Sequence, residues 1–242
     1  MAIKAGFPIR KPLFWILFTA IFVSISGMKS TESEDLEKWF NDDNDDAEAR
    51  ALAVNEGELE FLSTPPDKPP HELHNKFIIK SSSLKNGWID LVQCHDNLDK
   101  VPAAQILYHP RRTRNLKVLS STGVEKTWVE KNSVQMVNIT DNARVCITAE
   151  VHSLYPNFDG SYTMRNGPFH RRFLDGYYPM RVTMDVQLPE GELSYGAIQP
   201  MEQEGFSVEH NSQSMQVDAL FVGELNIEVF FDGSAKVGLL KE

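Results

Sequence analysis

The chain has 242 residues, of which 41% are hydrophobic and 24% are charged. This balance is typical of a globular protein with a buried core and excludes a fibrous or wholly disordered chain. The formal net charge is −10, which argues against general nucleic-acid binding because that function requires a basic surface.

The charge is distributed unevenly along the chain. Residues 1–30 carry four basic groups and no acidic group, whereas residues 31–60 carry twelve acidic groups and two basic ones. Residues 61–242 carry 22 acidic and 18 basic groups. The acidity is therefore concentrated in one short segment, and the main body of the chain is close to neutral.

The N-terminus has the three-part pattern of a secretory signal peptide. Basic residues precede an apolar run from Leu13 to Met28, and Ser24 and Ser26 supply the small residues before a cleavage position. This run is slightly shorter than the roughly 17–25 residues of a spanning helix, so an uncleaved membrane anchor over residues 13–28 is the alternative. In both cases the positive-inside rule places the body in the periplasm or outside the cell.

Two cysteines, Cys94 and Cys146, follow this segment. In an oxidising compartment an even pair predicts one disulfide, which closes a loop of about 50 residues and contributes about 3–4 kcal/mol in the chain-entropy model. Two separate buried thiols are the alternative.

Composition divides the chain into four parts. Residues 1–28 are the signal peptide or anchor, and residues 29–62 are predicted to form an acidic helical or disordered segment. Residues 63–75 include four prolines and are predicted to form a stiff linker. Residues 76–242 form the main domain.

The main domain is predicted to consist of short β-strands separated by turn signals. The segment Met180–Leu188 alternates apolar and polar residues without a break, and Arg144–Val151 does the same with Val145, Ile147 and Ala149 inward. No long helical pattern interrupts the series, which predicts a mainly β, antiparallel β-sandwich of immunoglobulin-like general appearance, with a barrel as the alternative. The other predicted strands are Lys76–Ser82, Trp88–Gln93, Ala103–Tyr108, Asn115–Ser120, Lys126–Lys131, Ser133–Ile139, Gly205–His210, Ser214–Phe221 and Glu224–Phe231.

Two basic clusters are the most unusual local feature of this acidic protein. They span His109–Asn115 and Tyr162–Arg181 and contain seven of the eight arginines that follow Ser63. Guanidinium groups suit carboxylate or phosphate, and interleaved aromatic residues offer stacking faces. Structural ion pairs with nearby acidic residues are the alternative. The predicted binding residues are Arg111, Arg112, Arg114, Arg165, Arg171, Arg172, Tyr177, Tyr178 and Arg181.

A second hypothesis rests on the segment from His71 to His74. If this segment is helical, the two imidazoles share one face and are able to ligate copper or zinc. Two ligands do not complete a site, and surface histidines beside the linker are the alternative.

The sequence lacks the common catalytic signatures, among them GxSxG, HExxH, CxxC and the phosphate-binding glycine loops. It therefore predicts an exported, non-catalytic envelope or extracellular protein without a cofactor. The expected partner is a protein, an anionic glycan or a lipid head group that contacts the arginine and aromatic residues. A periplasmic copper or zinc protein is the alternative, and a hydrolase of envelope polymers is a third hypothesis.

Overall fold

The computed structural model of the protein describes residues 57–173 and 175–234. The predicted signal peptide or anchor and residues 29–56 of the predicted acidic segment lie outside these residues. The described part of the chain is mainly β, with fifteen strands and one four-residue helix. The prediction of a β-rich domain is therefore confirmed.

The strands follow one another with short connections, and helix α1 (Ser83–Asn86) joins β2 to β3. In chain order the strands are β1 (Glu60–Phe61), β2 (His71–Ile78), β3 (Trp88–Leu98), β4 (Val101–Leu107), β5 (Thr113–Glu130), β6 (Ser133–His152), β7 (Leu154–Pro156), β8 (Tyr162–Phe169), β9 (Arg171–Phe173), β10 (Gly176–Tyr178), β11 (Met180–Gln187), β12 (Leu193–Gln199), β13 (Phe206–His210), β14 (Ser214–Val222) and β15 (Leu225–Gly233).

Nine strands form the largest sheet. Strand β6 pairs with β5 along one edge and with β3 and β4 along the other. From β3 the sheet continues through β2 and β11 to β14, and β13 and β1 pair with the far edge of β14. Strands β12, β15, β8 and β7 form a four-stranded sheet, and β9 pairs with β10.

One pairing departs from the predicted antiparallel arrangement. Strands β2 and β11 run parallel, with Leu73 opposite Val182 and His74 opposite Thr183. A tight turn cannot join parallel neighbours, and here the connection between them contains all the strands from β3 to β10. The alternation of apolar and polar residues along a strand does not reveal whether its neighbour is parallel or antiparallel, because this alternation is the same in both cases.

Alternation does decide which face of each strand is buried. In β11 the side chains of Met180, Val182, Met184 and Val186 are buried, while Arg181 is exposed. Full burial of an apolar side chain of this size contributes about 1.5–3 kcal/mol. The buried apolar residues of the two larger sheets belong to one cluster, which includes Leu73 from the nine-stranded sheet and Met164 and Val229 from the four-stranded sheet.

Several predicted boundaries were wrong. Strand β2 begins at His71, inside the predicted linker, and ends before the predicted limit at Ser82 because α1 follows. Strand β1 lies within the predicted acidic segment and pairs with β14. Strand β8 was not predicted, because its buried and exposed residues do not alternate regularly.

Candidate binding cleft

A cleft of about 250 Å³ opens beside the inner face of the nine-stranded sheet. Its floor consists of inward side chains of β2, β3 and β6, and its walls consist of the turn after β4 and the end of β8. The lining includes one arginine from each of the two basic clusters. The lining residues are Phe77, Leu91, Gln93, Leu107, Tyr108, His109, Arg112, Thr113, Val151, His152, Ser153, Arg165, Asn166, Gly167, Pro168 and Phe169.

Backbone hydrogen bonds fix the position of Arg112. The amide of Arg112 donates to the carbonyl of His109 at 3.0 Å and closes a turn, and the amide of His152 donates to the carbonyl of Arg112 at 2.9 Å. The Arg112 side chain is exposed and makes no ion pair with a carboxylate among residues 57–173 and 175–234. The turn therefore presents a guanidinium at the cleft on a fixed backbone.

Arg165, in β8, also lines the cleft, and its side chain lies beside Glu228 on the face opposite the buried Met164. Its Nε lies 2.9 Å from Glu228 Oε1, and its guanidinium carbon lies 5.6 Å from the centre of the Tyr155 ring. The side chain is 60% exposed. Its charge is thus oriented by β15 and β7 but still accessible to solvent.

Glycine is required beside the cleft at residue 87. Gly87 has a φ of 74°, and a Cβ at this position would lie 2.6 Å from His152 Nε2 and 2.7 Å from the carbonyl oxygen of Leu154. A side chain here would displace the His152 ring, which packs edge-on against Trp88 and Tyr155. Gly87 therefore allows His152 to line the cleft.

The floor leads into a buried network of polar side chains. Tyr108 Oη donates to Gln93 Oε1 at 2.8 Å, and Gln93 Nε2 donates to Asn75 Oδ1 at 2.6 Å. His95 Nε2 lies 3.4 Å from Gln93 Oε1, and His95 Nδ1 lies 3.1 Å from His71 Nε2. All five residues are buried, and hydrogen bonds offset the unfavourable free energy of placing such groups in a core.

The direction of each hydrogen bond follows from one main-chain carbonyl. Asn75 Nδ2 donates to the carbonyl of Thr183 at 3.4 Å, so Asn75 Oδ1 is the acceptor for Gln93. Gln93 Oε1 then accepts from Tyr108 and from His95 Nε2. Neutral His95 consequently accepts at Nδ1 from the Nε2–H of His71.

The histidines of this network are neutral near pH 7. Burial, followed by the positive charge of Arg171, lowers the pKa of His71 to about 4, against a raising effect of Asp99. Burial and the neighbouring His71 lower the pKa of His95 well below its ordinary value. Burial also raises the pKa of the Tyr108 hydroxyl. The network is thus composed of uncharged donors and acceptors.

Four of the seven predicted binding arginines form ion pairs. Arg114 pairs with Glu150 at 2.6 Å, Arg165 with Glu228, and Arg181 with Asp218 at 2.5 Å. Arg171 donates to both oxygens of Asp99, at 2.8 and 2.7 Å, and its side chain is only 15% exposed. Within the described ranges, Arg111, Arg112 and Arg172 have no such carboxylate partner.

The predicted tyrosines lie in the β9–β10 hairpin. Tyr177 is opposite Arg172 and Tyr178 is opposite Arg171, and each arginine lies over a ring of this hairpin at 5.3–5.6 Å. The hairpin is therefore held by cation–π contacts of its own residues.

The two histidines of the metal hypothesis lie in a strand, not a helix. His71 points into the core and His74 lies on the opposite, partly exposed face of β2, because successive side chains of a strand alternate. They do not share a face, so the predicted geometry was wrong. In the described part of the chain, no group of three or more His, Cys, Asp or Glu residues has the arrangement of a metal site.

His74 belongs instead to a polar cluster on the outer face of the sheet. Its Nδ1 lies 2.8 Å from Thr183 Oγ1, and its Nε2 lies 3.3 Å from Glu72 Oε2 and from Asp96 Oδ2. No sequence pattern predicts this contact between hydroxyl, imidazole and carboxylates, because the parallel pairing of β2 with β11 creates it.

A depression of about 310 Å³ borders this cluster at Thr183. Its lining includes Asp185, Glu209 and Asp218. Three carboxylates disfavour the oxyanion that forms when a hydroxyl attacks an acyl group. The contact between Thr183 and His74 therefore does not support acyl transfer at this position.

The predicted disulfide joins Cys94 and Cys146, which are 52 residues apart in sequence. They are paired residues of β3 and β6, on the face opposite Gln93 and Val145. The disulfide thus lies on the face opposite the apolar cluster, where Cys146 is nevertheless buried, and links two strands that already share a ladder.

Sequence reasoning missed Tyr108, Gln93 and His95. The signal was available, because Gln93 and His95 continue the inward series of Ile89 and Leu91 in β3. Polar residues at inward positions of a strand indicate a buried network.

No protein-family model matches the chain, and no curated protein matches it significantly. Among the residues that the structure describes, no helix is long and apolar enough to cross a membrane.

Proposed function

We propose that the protein is an exported, non-catalytic binding protein and that its cleft holds an anionic group of a polymer or partner between Arg112 and Arg165. The observation that carries this proposal is the meeting of the two basic clusters at one cleft. Each cluster contributes one arginine to the lining, and guanidinium groups suit a carboxylate or phosphate.

The charge distribution around the cleft supports this function. Arg112 is exposed and has no carboxylate partner within the described ranges, and His109 and His152 lie on the same lining. An anion therefore gains a charged donor that is not already neutralised, and the backbone hydrogen bonds of Arg112 reduce the ordering that binding requires.

Export is supported by the disulfide, which persists in oxidising compartments such as the periplasm or the extracellular space. The common buried cluster of the two larger sheets supports a sandwich in which their inner faces pack together. In this arrangement the cleft is an opening at the edge of the shared core.

The test is a titration of the purified protein, with its disulfide intact, against four probes. These are polygalacturonate, dextran sulfate, poly-L-glutamate and vesicles containing phosphatidylglycerol. At least one probe is expected to bind, and the double variant Arg112→Gln/Arg165→Gln is expected to lose at least about tenfold in affinity, because two charge-assisted contacts are removed.

The matched control is Arg181→Gln. Arg181 is also an exposed strand arginine with a carboxylate partner, but it does not line the cleft. Equal losses in the control and the double variant would indicate nonspecific charge attraction. Absence of binding to every probe, or unchanged affinity of the double variant, would refute the proposal.

A further inference from the structure

Three kinds of side chain line the cleft. Arg112 and Arg165 are cationic, and Leu107 and Phe169 are apolar. Gln93 and Tyr108 are buried polar residues that join the hydrogen-bond network. A ligand that fits all three kinds carries an anionic group, apolar faces and a further polar group.

The floor accepts hydrogen bonds from a ligand. The Tyr108 hydroxyl donates its proton to Gln93 Oε1. The direction of this hydrogen bond follows from Asn75, which donates to the carbonyl of Thr183 and accepts from Gln93. The phenolic oxygen keeps its acceptor capacity. A ligand can therefore donate a hydrogen bond to this oxygen, for example from a hydroxyl group.

Size restricts the ligand further. A volume of about 250 Å³ lies just below the usual range of small-molecule sites. It suits one ring-sized unit, whereas a folded partner's surface would contact only the mouth.

We propose that the cleft binds one acidic sugar unit of the uronate class, with its carboxylate between Arg112 and Arg165 and a ring hydroxyl donating to Tyr108. This inference rests on the proposed function and makes it more specific. The C–H faces of the sugar ring pack on Leu107 and Phe169. A polyglutamate chain carries the carboxylates without the hydroxyl, and an anionic lipid surface engages only the mouth.

The experiment compares glucuronate with cyclohexanecarboxylate, which has the ring and the carboxylate without hydroxyls. Both are titrated by isothermal calorimetry into the wild-type protein and into Tyr108→Phe. The wild type is expected to prefer glucuronate by about threefold to tenfold for one hydrogen bond. Tyr108→Phe is expected to remove this preference while it leaves the affinity for cyclohexanecarboxylate unchanged.

The outcomes separate this inference from the proposed function. Equal wild-type affinity for the two ligands, or a preference that survives in Tyr108→Phe, overturns the assignment of an acidic sugar while anion binding stands. A wild type that binds dextran sulfate or polyglutamate more tightly than oligogalacturonate of matched charge overturns it as well. If Tyr108→Phe does not fold, the preference of the wild type for glucuronate over cyclohexanecarboxylate alone tests the assignment of an acidic sugar. Loss of all anion binding refutes the proposed function itself.

Discussion

The buried His71–His95 pair makes the folded protein sensitive to acid. His71 Nε2 and His95 Nδ1 are 3.1 Å apart, and Arg171 and Asp99 are the charged groups that act on His71. Protonation of either imidazole would place a charge in the core, and protonation of His95 at Nδ1 would also remove the acceptor of the His71 hydrogen bond. The neutral pair is consequently part of what holds β2 against β3.

The free energy of unfolding is expected to fall as pH decreases from 6.5 to about 4. In the unfolded chain His71 binds its proton near pH 6.5, whereas in the folded protein its pKa is about 4, so acid favours the unfolded chain. His71 alone accounts for about 3 kcal/mol between pH 7 and pH 4. Urea unfolding of the wild type and His71→Gln measures the difference.

The control for this series is His109→Gln, because His109 is exposed and outside the network. The dependence on pH should be unchanged in that variant and weaker in His71→Gln. Identical pH profiles of the wild type and His71→Gln would contradict a buried neutral histidine at this position.

Gln93 is expected to be the most sensitive polar residue of the core. Its side-chain amide contacts Tyr108, Asn75 and His95, and Gln93→Leu leaves these partners unpaired. The loss should be at least about 2 kcal/mol in the free energy of unfolding by urea denaturation. The exposed Gln187 of β11 is the control, and Gln187→Leu should change stability by less than about 0.5 kcal/mol. Similar losses in the two variants would show that the network contributes nothing.

The sequence predicted the existence of most strands but not their continuity. The predicted strands Asn115–Ser120 and Lys126–Lys131 are one strand, β5. The interruption between them is a bulge, where Gly123 has a φ of 71° and a Cβ would lie 2.8 Å from Thr140 Oγ1. A glycine with positive φ has the same sequence signature in a bulge as in a turn.

The same ambiguity between a turn and a bulge explains β6. The predicted strands Ser133–Ile139 and Arg144–Val151 are one continuous strand, in which Asn142 adopts a φ of 59°. The inward positions Val145, Ile147 and Ala149 were nevertheless correct. Period-two alternation is local and survives a bulge, whereas the choice between a turn and a bulge depends on the neighbouring strands.

The candidate site was predictable only in part. Composition identified Arg112 and Arg165 as residues of two basic clusters, and the structure places both at the cleft. The sequence did not reveal that Arg171 is bound by Asp99, because the acid lies between β3 and β4 and is far from Arg171 in the chain. Pairing between remote elements decides which charges are available to a ligand.

Asp99 is expected to fasten the β9–β10 hairpin to the rest of the domain. Burial opposes ionisation of Asp99, but the hydrogen bonds and charge of Arg171, followed by those of Lys68, outweigh it and lower its pKa. Asp99→Ala should accelerate hydrogen exchange in residues 171–178 and reduce stability by about 1–3 kcal/mol.

Asp218→Ala is the matched control for Asp99→Ala. It removes the partner of Arg181 in a pair whose side chains are 44% and 40% exposed, and such a pair contributes about 0–1 kcal/mol. If hydrogen exchange in the hairpin is as slow in Asp99→Ala as in the control, the cation–π contacts are sufficient to keep the β9–β10 hairpin ordered without Asp99.

At the scale of the whole molecule, the disulfide restricts the unfolded chain. It closes 52 residues of sequence that include the end of β3, all of β4 and β5, and part of β6. Cys94→Ser/Cys146→Ser is expected to reduce stability by about 3–4 kcal/mol, chiefly because the unfolded ensemble gains freedom. The thermal midpoint should fall by roughly 6–16 °C.

Treatment with a reductant provides the control for this prediction. It should lower the midpoint of the wild type to that of the double serine variant and leave the variant unaffected. A wild type that is insensitive to full reduction would show that the β3–β6 ladder holds the two strands without the covalent link.

The most direct test of the central claim is a hydrogen-exchange footprint of the wild-type protein with its tightest-binding polyanion. Binding in the cleft predicts protection of residues 109–113 and 165–169, on its two walls, and unchanged exchange in residues 171–178. Protection confined to the β9–β10 hairpin, or a saturated complex without protection of either wall, would contradict the assignment of this cleft as the binding site.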